Sequence, residues 1–507
     1  MTALNDYLRK QLATQPDRQL VKDLTQDRWF TGATLQQDAD ALASALTNHL
    51  IGRHDRLVVC LENSATFWPI DQAAWSLGIA VHPLSPSTPA SELLADHAEH
   101  HYHAMILTAA LAAALPSDFS QATVQLAGGT LHLAFDPTLT AGRQAADQST
   151  PTEDDIALIM HTSGTTGKPK RVGLSHRIIF NAAKHNAASN RMSETTVAMI
   201  SMPLFHINGQ VMAMLASRVA NCQLVIAQKF SASRFWTQVA DNGVTWTTVV
   251  PTMIMILLLN DKANAAYAER AQAIHLEYVR CSSFSLPEDK LQGFEQRYHT
   301  RVLEGYGMTE SASQCTINPY DAPKIGSAGK PVGTTMAIRL ADGTVTTAAN
   351  QLGEIVAKGD HVITSYLDPH PDSFKDGWFL TGDLGYFDED GYLFVRGRTK
   401  DIISRGGEKV APAAVENVLD VLPFIAQLAV IGVPDELYGE AVCAVVVSRT
   451  PGVDEDQQRE TLLAFGRSHL AKFEAPTQVV FVQDFPRNAT GKVLRPQLRD
   501  QILGVHA

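Results

Sequence analysis

The chain lacks the marks of several broad protein classes. It has no excess of basic side chains: 41 Lys and Arg face 53 Asp and Glu, a formal charge of −12. That balance favours solubility and offers no electrostatic footprint for a nucleic acid or an anionic membrane, so neither is an expected partner. Cysteine is scarce. The five cysteines, Cys60, Cys222, Cys281, Cys315 and Cys443, are odd in number, scattered and without C-x-x-C spacing. Neither a disulfide framework nor a zinc site is indicated, and a reducing, cytoplasmic setting fits. The N-terminus "MTALNDYLRKQLATQPDRQL" carries charges where a signal peptide needs an apolar centre, and the apolar stretch near 249–259 is too short to span a bilayer. No integral membrane segment is expected. Internal repeats and low-complexity tracts are also missing.

What is there is the composition of a large globular enzyme: 507 residues, 45% hydrophobic and 19% charged, enough for more than one domain. Up to about residue 150, helix-like runs such as "LQQDADALASALTNHL" alternate with short β-rich ones such as "RLVVCLEN" and "AMILTAA". This is the rhythm of an α/β layered domain and predicts a parallel sheet flanked by helices. The polar stretch "AADQSTPTEDD" reads as a loop. Between about 351 and 397, glycines and aromatics predict tight hairpins, with "DEDG" as a turn. After residue 400 the order helix, two strands, helix, strand predicts a second, compact α+β domain of about a hundred residues.

One segment stands out for its chemistry. "HTSGTTGKPK" (161–170) follows the apolar run Ile156 to Met160 and packs small donors, glycines and lysines into ten residues. Glycines let backbone N–H groups approach a ligand, Ser and Thr add hydroxyl donors, and lysines add mobile positive charge, so the loop suits phosphate oxygens. It is not a Walker A loop: Gly164 and Gly167 are separated by two residues rather than four, and Pro169 follows Lys168 where a helix would have to begin. Taken alone, it is also compatible with a surface turn.

Four further segments accompany it in order: "LEGYGMTE" (303–310), "GWFLTGD" (377–383), "GRTKDIISRGGEKVAPAAVE" (397–416) and "PRNATGK" (486–492). Together the five resemble the core motifs of the adenylate-forming superfamily, which includes acyl-CoA synthetases, peptide-synthetase adenylation domains and firefly-type luciferases. The resemblance runs from about residue 20 to the C-terminus. It implies an α/β fold with a large N-terminal domain of layered sheets and helices (1–397), a hinge (398–400) and a small mobile α+β C-terminal domain (401–507). It also implies ATP, Mg²⁺ and coenzyme A, with a small-molecule carboxylic acid as the remaining substrate.

The chemistry gives each motif a reason. Activating a carboxylate with ATP brings two anions together, so the site must neutralise phosphate charge and align the acid with the α-phosphorus. By resemblance, Thr162, Ser163, Gly164, Thr165, Thr166, Gly167, Lys168 and Lys170 wrap the β- and γ-phosphates. Thr309 donates to the α-phosphate and Glu310 holds Mg²⁺, a hard cation that prefers oxygen. Tyr306 stacks on adenine beside Glu304 and Gly305, Asp383 accepts from the ribose hydroxyls, and Arg398 lies near the ribose. Lys492 bridges the acid and the α-phosphate during adenylation. Rotation about Lys400 then withdraws Lys492 and brings in Gly406 and Gly407, which border a channel for the pantetheine arm of CoA.

No carrier domain or serine-bearing attachment motif is seen in the fifteen residues after Lys492. A free-standing CoA ligase is therefore expected, with a carrier-protein acyl-AMP ligase as the alternative. For the acid, "PLFHINGQV", "YVRCSSFSLP" and "KIGSAGKPVG" are similar to the oxalate–CoA ligase branch. Ser282 and Ser283 then stand where fatty-acid enzymes often have Gly or Ala, and His206 is a donor for a second carboxylate. Two departures matter. Gly307 replaces the alanine of that branch and Ser313 replaces its histidine, which predicts a larger or more neutral pocket. A medium- or long-chain fatty acid is the alternative substrate, with "TMIMILLL" as either a tunnel wall or a core helix.

Overall fold

The computed structural model describes residues 1–162, 170–406, 408–487 and 492–504. Among these residues four sheets carry the fold. The predicted helix near residue 40 runs over Gly32–Asn48, capped by the Thr31 side chain, and the β-rich runs become the strands Arg56–Cys60 and Ala104–Leu107. These strands, Ala80–Pro83 and Ile156–Thr162 run parallel in a seven-stranded sheet. Its edges are antiparallel, formed by the hairpin Ser120–Leu126/Gly129–Phe135 and by Lys170–Ser175. The sheet is thus mixed rather than parallel throughout, and it continues past residue 150. The polar 145–155 stretch is a loop, as expected, anchored where Arg53 grips Asp155 with two bonds of 2.6 and 3.0 Å.

A nine-stranded sheet lies beside it. Its parallel centre is Gln19–Asp23, Gln223–Ile226, Val197–Ile200, Trp246–Val249, Tyr278–Cys281 and Arg301–Tyr306. The chain's first strand therefore belongs to this sheet, not to the one built by the residues that follow it. One apolar cluster draws on both sheets, from Leu57, Val81 and Leu158 to Ile200, Trp246 and Leu303. A second cluster, around Trp236, Phe294 and Tyr298, covers the far face. The "TMIMILLL" stretch is the helix Pro251–Leu259, which buries Met253, Ile254 and Leu257 in that second cluster and exposes Ile256 and Leu259. It is a core helix.

The hairpin region folds as read. Gly353–Gly359, Trp378–Phe387 and Leu393–Arg398 pair antiparallel, and the turn 388–391 is held by the Asp388 carboxylate, which accepts from the Asp390 and Tyr392 amides. Residues from Ile403 onward form a sheet of their own, centred on Ile425–Asp435 and Gly439–Ser448, with the helices Pro412–Leu419 and Glu455–His469 packed on it. No described helix is long and apolar enough to cross a membrane.

The C-terminal helix Arg495–Ile502 is tied to this sheet by Arg495, which donates to both Glu416 oxygens at 2.6 and 2.9 Å and to the Val430 carbonyl at 2.7 Å. Hydrogen bonds between charged groups stabilise by about 1.5 to 3 kcal/mol. Arg495→Ala should therefore lower local stability by about 2 kcal/mol. The measurement is amide exchange: faster in strands 425–435 and 439–448, unchanged in strands 246–249 and 278–281.

Candidate active site

Three segments converge on one carboxylate. Asp383 and Arg398 are directly opposed across the hairpin register, and each follows a glycine with positive φ, Gly382 at 71° and Gly397 at 130°. Those backbone turns turn both side chains toward the end of the strand Arg301–Tyr306. The Tyr306 hydroxyl donates to Asp383 Oδ2 at 2.6 Å, and Arg398 Nε lies 3.2 Å from Oδ1. Burial and the neighbouring carboxylate push the Tyr306 phenol well above its usual range, so it stays a donor. Each Asp383 oxygen keeps acceptor capacity beyond these partners, as a ribose ligand requires.

Just beyond Tyr306 the chain makes a short 3-10 turn, Thr309–Ser311. It buries Glu310 to 8% exposure. Burial raises the carboxyl pKa, opposed by the Tyr366 hydroxyl, which donates to Oε1 at 2.6 Å, and by the charge of Lys170. Lys170 lies 4.6 Å above the Tyr366 ring and donates to Ser373 Oγ at 3.1 Å. A carboxylate held at one oxygen, close to the end of the phosphate-loop sequence, fits Mg²⁺, which is usually bound through one or two carboxylates plus substrate phosphates. Thr162 and Lys170 pair across the strands that bracket that loop. Ser163, Gly164, Thr165, Thr166, Gly167 and Lys168 lie outside the described residues, as does Gly407.

Lys492 comes to the same place from the C-terminal region. It is half-buried, and its ammonium feels Arg398, Asp383, Asp401 and Arg495. Burial first, and then the Arg398 charge, pull its pKa down to about 8. Lys400 is in the exposed turn after Arg398. Gly406 has φ +60°, and its N–H donates to the Tyr438 carbonyl at 2.8 Å, so a glycine suits that turn. Gly406 therefore sits against Tyr438, apart from the Glu310–Asp383 cluster.

The expected acid-binding residues are only partly together. Ser282 is half-buried, but Ser283 is exposed and has φ 102°, a conformation that favours glycine. Of the two serines at that position, only Ser282 is even partly withdrawn from solvent. His206 precedes a π-helical stretch, Asn208–Leu215; its Nε2 has no partner, and burial pulls its pKa to about 4, so the ring is neutral. The space expected from Gly307 is absent: a Cβ there would lie 1.7 Å from the Ser313 carbonyl oxygen. Ser313, at φ 111°, folds its own backbone into the volume that the missing methyl was expected to open.

Two residues escaped the sequence reading. Tyr366 carried no signal. Arg280 did: it is a lone charge inside the apolar strand Tyr278–Cys281. It is 1% exposed, its Nε has no partner, and burial lowers its pKa to about 10. Among the described residues no carboxylate pairs with it. Its Nη2 lies 2.6 Å from where a Cβ on Gly305 would be, so the glycine makes room for the guanidinium. Arg280 is level with Thr248 on the neighbouring strand, whose hydroxyl accepts from Asn208 at 3.2 Å. Asn208 Oδ1, both amide atoms of Gln210 and the Thr252 hydroxyl are also buried without protein partners. Only water or a polar ligand can satisfy such groups.

Comparison with known proteins identifies the class that builds this site. Residues 8–367 match the family described as AMP-binding enzyme, and residues 414–492 match the AMP-binding enzyme C-terminal domain. The chain belongs to this family and is an AMP-forming acyl-CoA synthetase of the adenylate-forming superfamily. It is 33% identical to a probable CoA ligase of Humulus lupulus, over 99% of this chain and 96% of that one. It is 38% identical to the oxalate–CoA ligase of Arabidopsis thaliana, over 68% of this chain and 66% of the relative. The ATP-bound structure of MatB from Rhodopseudomonas palustris superposes with a TM-score of 0.85 at 26% identity, covering 99% and 100% of the two chains. ATP and CoA are accordingly its co-substrates.

The burial of Lys492 is directly measurable. Trace acetylation across pH, read by peptide mass spectrometry, should give Lys492 in the free protein a midpoint near pH 8. Exposed lysines should titrate above about 10. A Lys492 midpoint in that higher range would show that its ammonium is not desolvated.

Proposed function

We propose that this synthetase activates a small, polar acid of the oxalate type and transfers it to CoA. The observation that carries the reading is Arg280, a buried guanidinium with no carboxylate partner among the described residues. An unpaired buried cation costs several kcal/mol, and a hydrocarbon tail would do nothing to offset that. A second carboxylate on the substrate would, through charge-assisted bidentate bonds. His206, neutral at its orphaned Nε2, and Ser282 add polar groups for the same anion. Relatives named as oxalate–CoA ligases support this acid class, while a relative named as a long-chain-fatty-acid–CoA ligase keeps a fatty acid as the alternative. A carrier-protein acyl-AMP ligase is the third reading.

In the first half-reaction an oxygen of the acid attacks the α-phosphorus of ATP and pyrophosphate leaves. Thr309, Lys170 and Lys492 offset the charge that develops, Lys492 from the side of the C-terminal domain (401–507). Tyr306 and Asp383 hold the adenosine, with Arg398 fixing the Asp383 carboxylate. Mg²⁺, bound at Glu310, would neutralise phosphate charge. In the second half-reaction the CoA thiol attacks the acyl carbonyl and AMP leaves. That step requires Lys492 to withdraw, by rotation within the hinge 398–400, as Gly406 and Gly407 approach.

Separating the half-reactions tests these roles. Lys492→Ala should slow adenylation by roughly 10² to 10³, the scale of losing a preorganised donor, and leave thioester formation from preformed acyl-adenylate nearly intact. Lys400→Pro should do the opposite, because proline holds φ near −65°. Equal damage to both half-reactions in either variant would remove the role assigned to it.

The acid is tested by comparing kcat/KM for oxalate, malonate, acetate and octanoate. A site that hydrogen-bonds a second polar group rejects an analogue lacking it by about 10⁴, against 10 to 200-fold for a methylene in an apolar pocket. Oxalate should beat acetate on that larger scale, and Arg280→Met should narrow the gap by at least tenfold. If octanoate wins, or Arg280→Met leaves the ratio unchanged, the dicarboxylate reading fails.

A further inference from the structure

Outside the nucleotide and acid sites, the helix Ala90–His100 and the strand Ile156–Thr162 bring together an imidazole pair and a carboxylate. Asp96 and His100 are four residues apart on the helix and therefore share a face. His161 is the penultimate residue of the strand. One donor atom from each of the three lies within 4.8 Å of the others, and His100 Nε2 is 3.6 Å from Asp96 Oδ1. We infer that Asp96, His100 and His161 form a binding site for one divalent first-row transition-metal ion, Zn²⁺ or Co²⁺ in chemical class. Two imidazole nitrogens and one carboxylate oxygen are a donor set for such ions and not for Mg²⁺.

The surroundings are those of a supported ligand set. The second Asp96 oxygen accepts from the Tyr102 hydroxyl at 2.5 Å, which orients the carboxylate. Because that hydroxyl spends its proton on Asp96, the contact of 2.8 Å between His82 Nδ1 and the Tyr102 oxygen must be donated by His82. His82 is thereby fixed as the Nδ1–H tautomer, and its buried Nε2 keeps a bare lone pair with no partner. The His82 ring meets His161 edge to face at 4.5 Å between centroids. This outer His–Tyr–Asp chain is of the kind that holds metal ligands in orientation. The nearest guanidiniums are already engaged: Arg171 is bound by both Asp368 oxygens at 3.0 and 2.6 Å, and Arg56 donates to the His100 carbonyl.

Ligand atoms around a tetrahedral ion with bonds of about 2.0 to 2.2 Å sit about 3.4 Å apart. Asp96 and His100 are already near that spacing at 3.6 Å, and the His161 donor atom lies within 4.8 Å of both. The site also has a consequence for ATP. His161 immediately precedes Thr162 and pairs with Arg171, so an ion would tie the helix to the strand that enters the phosphate-loop sequence. Metal and ATP affinities should then shift each other by the same factor, since binding linkage is reciprocal.

Co²⁺ tests this directly in the full chain, through the visible d–d absorption of a low-coordinate ion. Wild-type protein should take up one Co²⁺ per chain with that absorption, lose it to Zn²⁺, and keep it in excess Mg²⁺. His100→Ala and Asp96→Asn should each abolish it, and acid activation in buffer that contains Mg²⁺ but no transition metal should persist in His100→Ala. His185→Ala is the control, because His185, Asp360 and His361 form another grouping, in which the exposed Asp360 is already bound by both imidazoles. Absorption that survives His100→Ala, or no absorption in the wild type, overturns the site. A Co²⁺ affinity unchanged by ATP overturns the coupling.

Discussion

The carboxylate of Asp383 is where the working parts of the molecule meet. Tyr306 reaches it from the nine-stranded sheet, Arg398 from the neighbouring hairpin strand, and Lys492 feels its charge from the C-terminal region. Each depends on backbone that only certain residues allow. Gly382 and Gly397 adopt positive φ, and Gly305 must lack a side chain because the Thr316 carbonyl and the Arg280 guanidinium fill that space. A substitution at any of these glycines therefore acts on the Asp383 cluster through geometry rather than through chemistry.

Around that point the protein buries charge that it does not fully compensate. Glu310 has the Tyr366 hydroxyl and the field of Lys170 but no direct ion pair among the described residues, and Arg280, which donates to the Cys281 carbonyl and feels Cys281, Cys315 and Tyr278, has no carboxylate partner among them either. Breaking or omitting a partner for a buried charge costs several kcal/mol, so such groups are maintained against stability. The rest of the fold bears that cost through large apolar clusters, in which Trp68, Trp75, Trp236 and Trp246 are nearly fully buried. The contrast with Arg495 is instructive. That guanidinium serves the fold, and both of its Nη nitrogens donate to Glu416.

The sequence was most legible where local chemistry decides structure. The turn at 388–391, the hairpins, and the helix, two strands, helix and strand between 412 and 481 follow from glycine, aspartate and apolar alternation and appear in their expected places, whereas the strand pair Ile403–Arg405/Glu408–Val410 and the helix Arg495–Ile502 were not expected. It was least legible where distant segments decide. Nothing in "QLVKD" says that the first strand will pair with Gln223–Ile226, two hundred residues away. Ser283 and Gly307 show the same limit within the site. Their identities suggested a polar wall and a widened pocket, but one is exposed, and the other is filled by the Ser313 backbone, because positive φ at both serines redirects the chain. Residue type alone does not carry that information. Arg280 was visible as a charge in an apolar strand, yet its meaning needed the neighbouring strand.

Five of the buried ionisable groups around the free site are biased toward their neutral forms, and for one reason. Burial raises Glu310 and Glu304 and lowers Lys492, His206 and Arg280, so desolvation acts on acids and bases alike. A ligand bearing several negative charges reverses part of this. It favours the ammonium of Lys492 and the charge on Arg280, while a cation arriving with it favours the carboxylate of Glu310. On Glu310 and Arg280 that charge is not spent, in the empty protein, on an ion pair among the described residues. Had Lys492 and Glu310 been paired with each other, binding would first have to break that pair. The segregation of Glu310 beside Tyr366 from Lys492 beside Arg398 and Asp383 keeps the two apart, and the free energy of recharging them is released only when substrate is present.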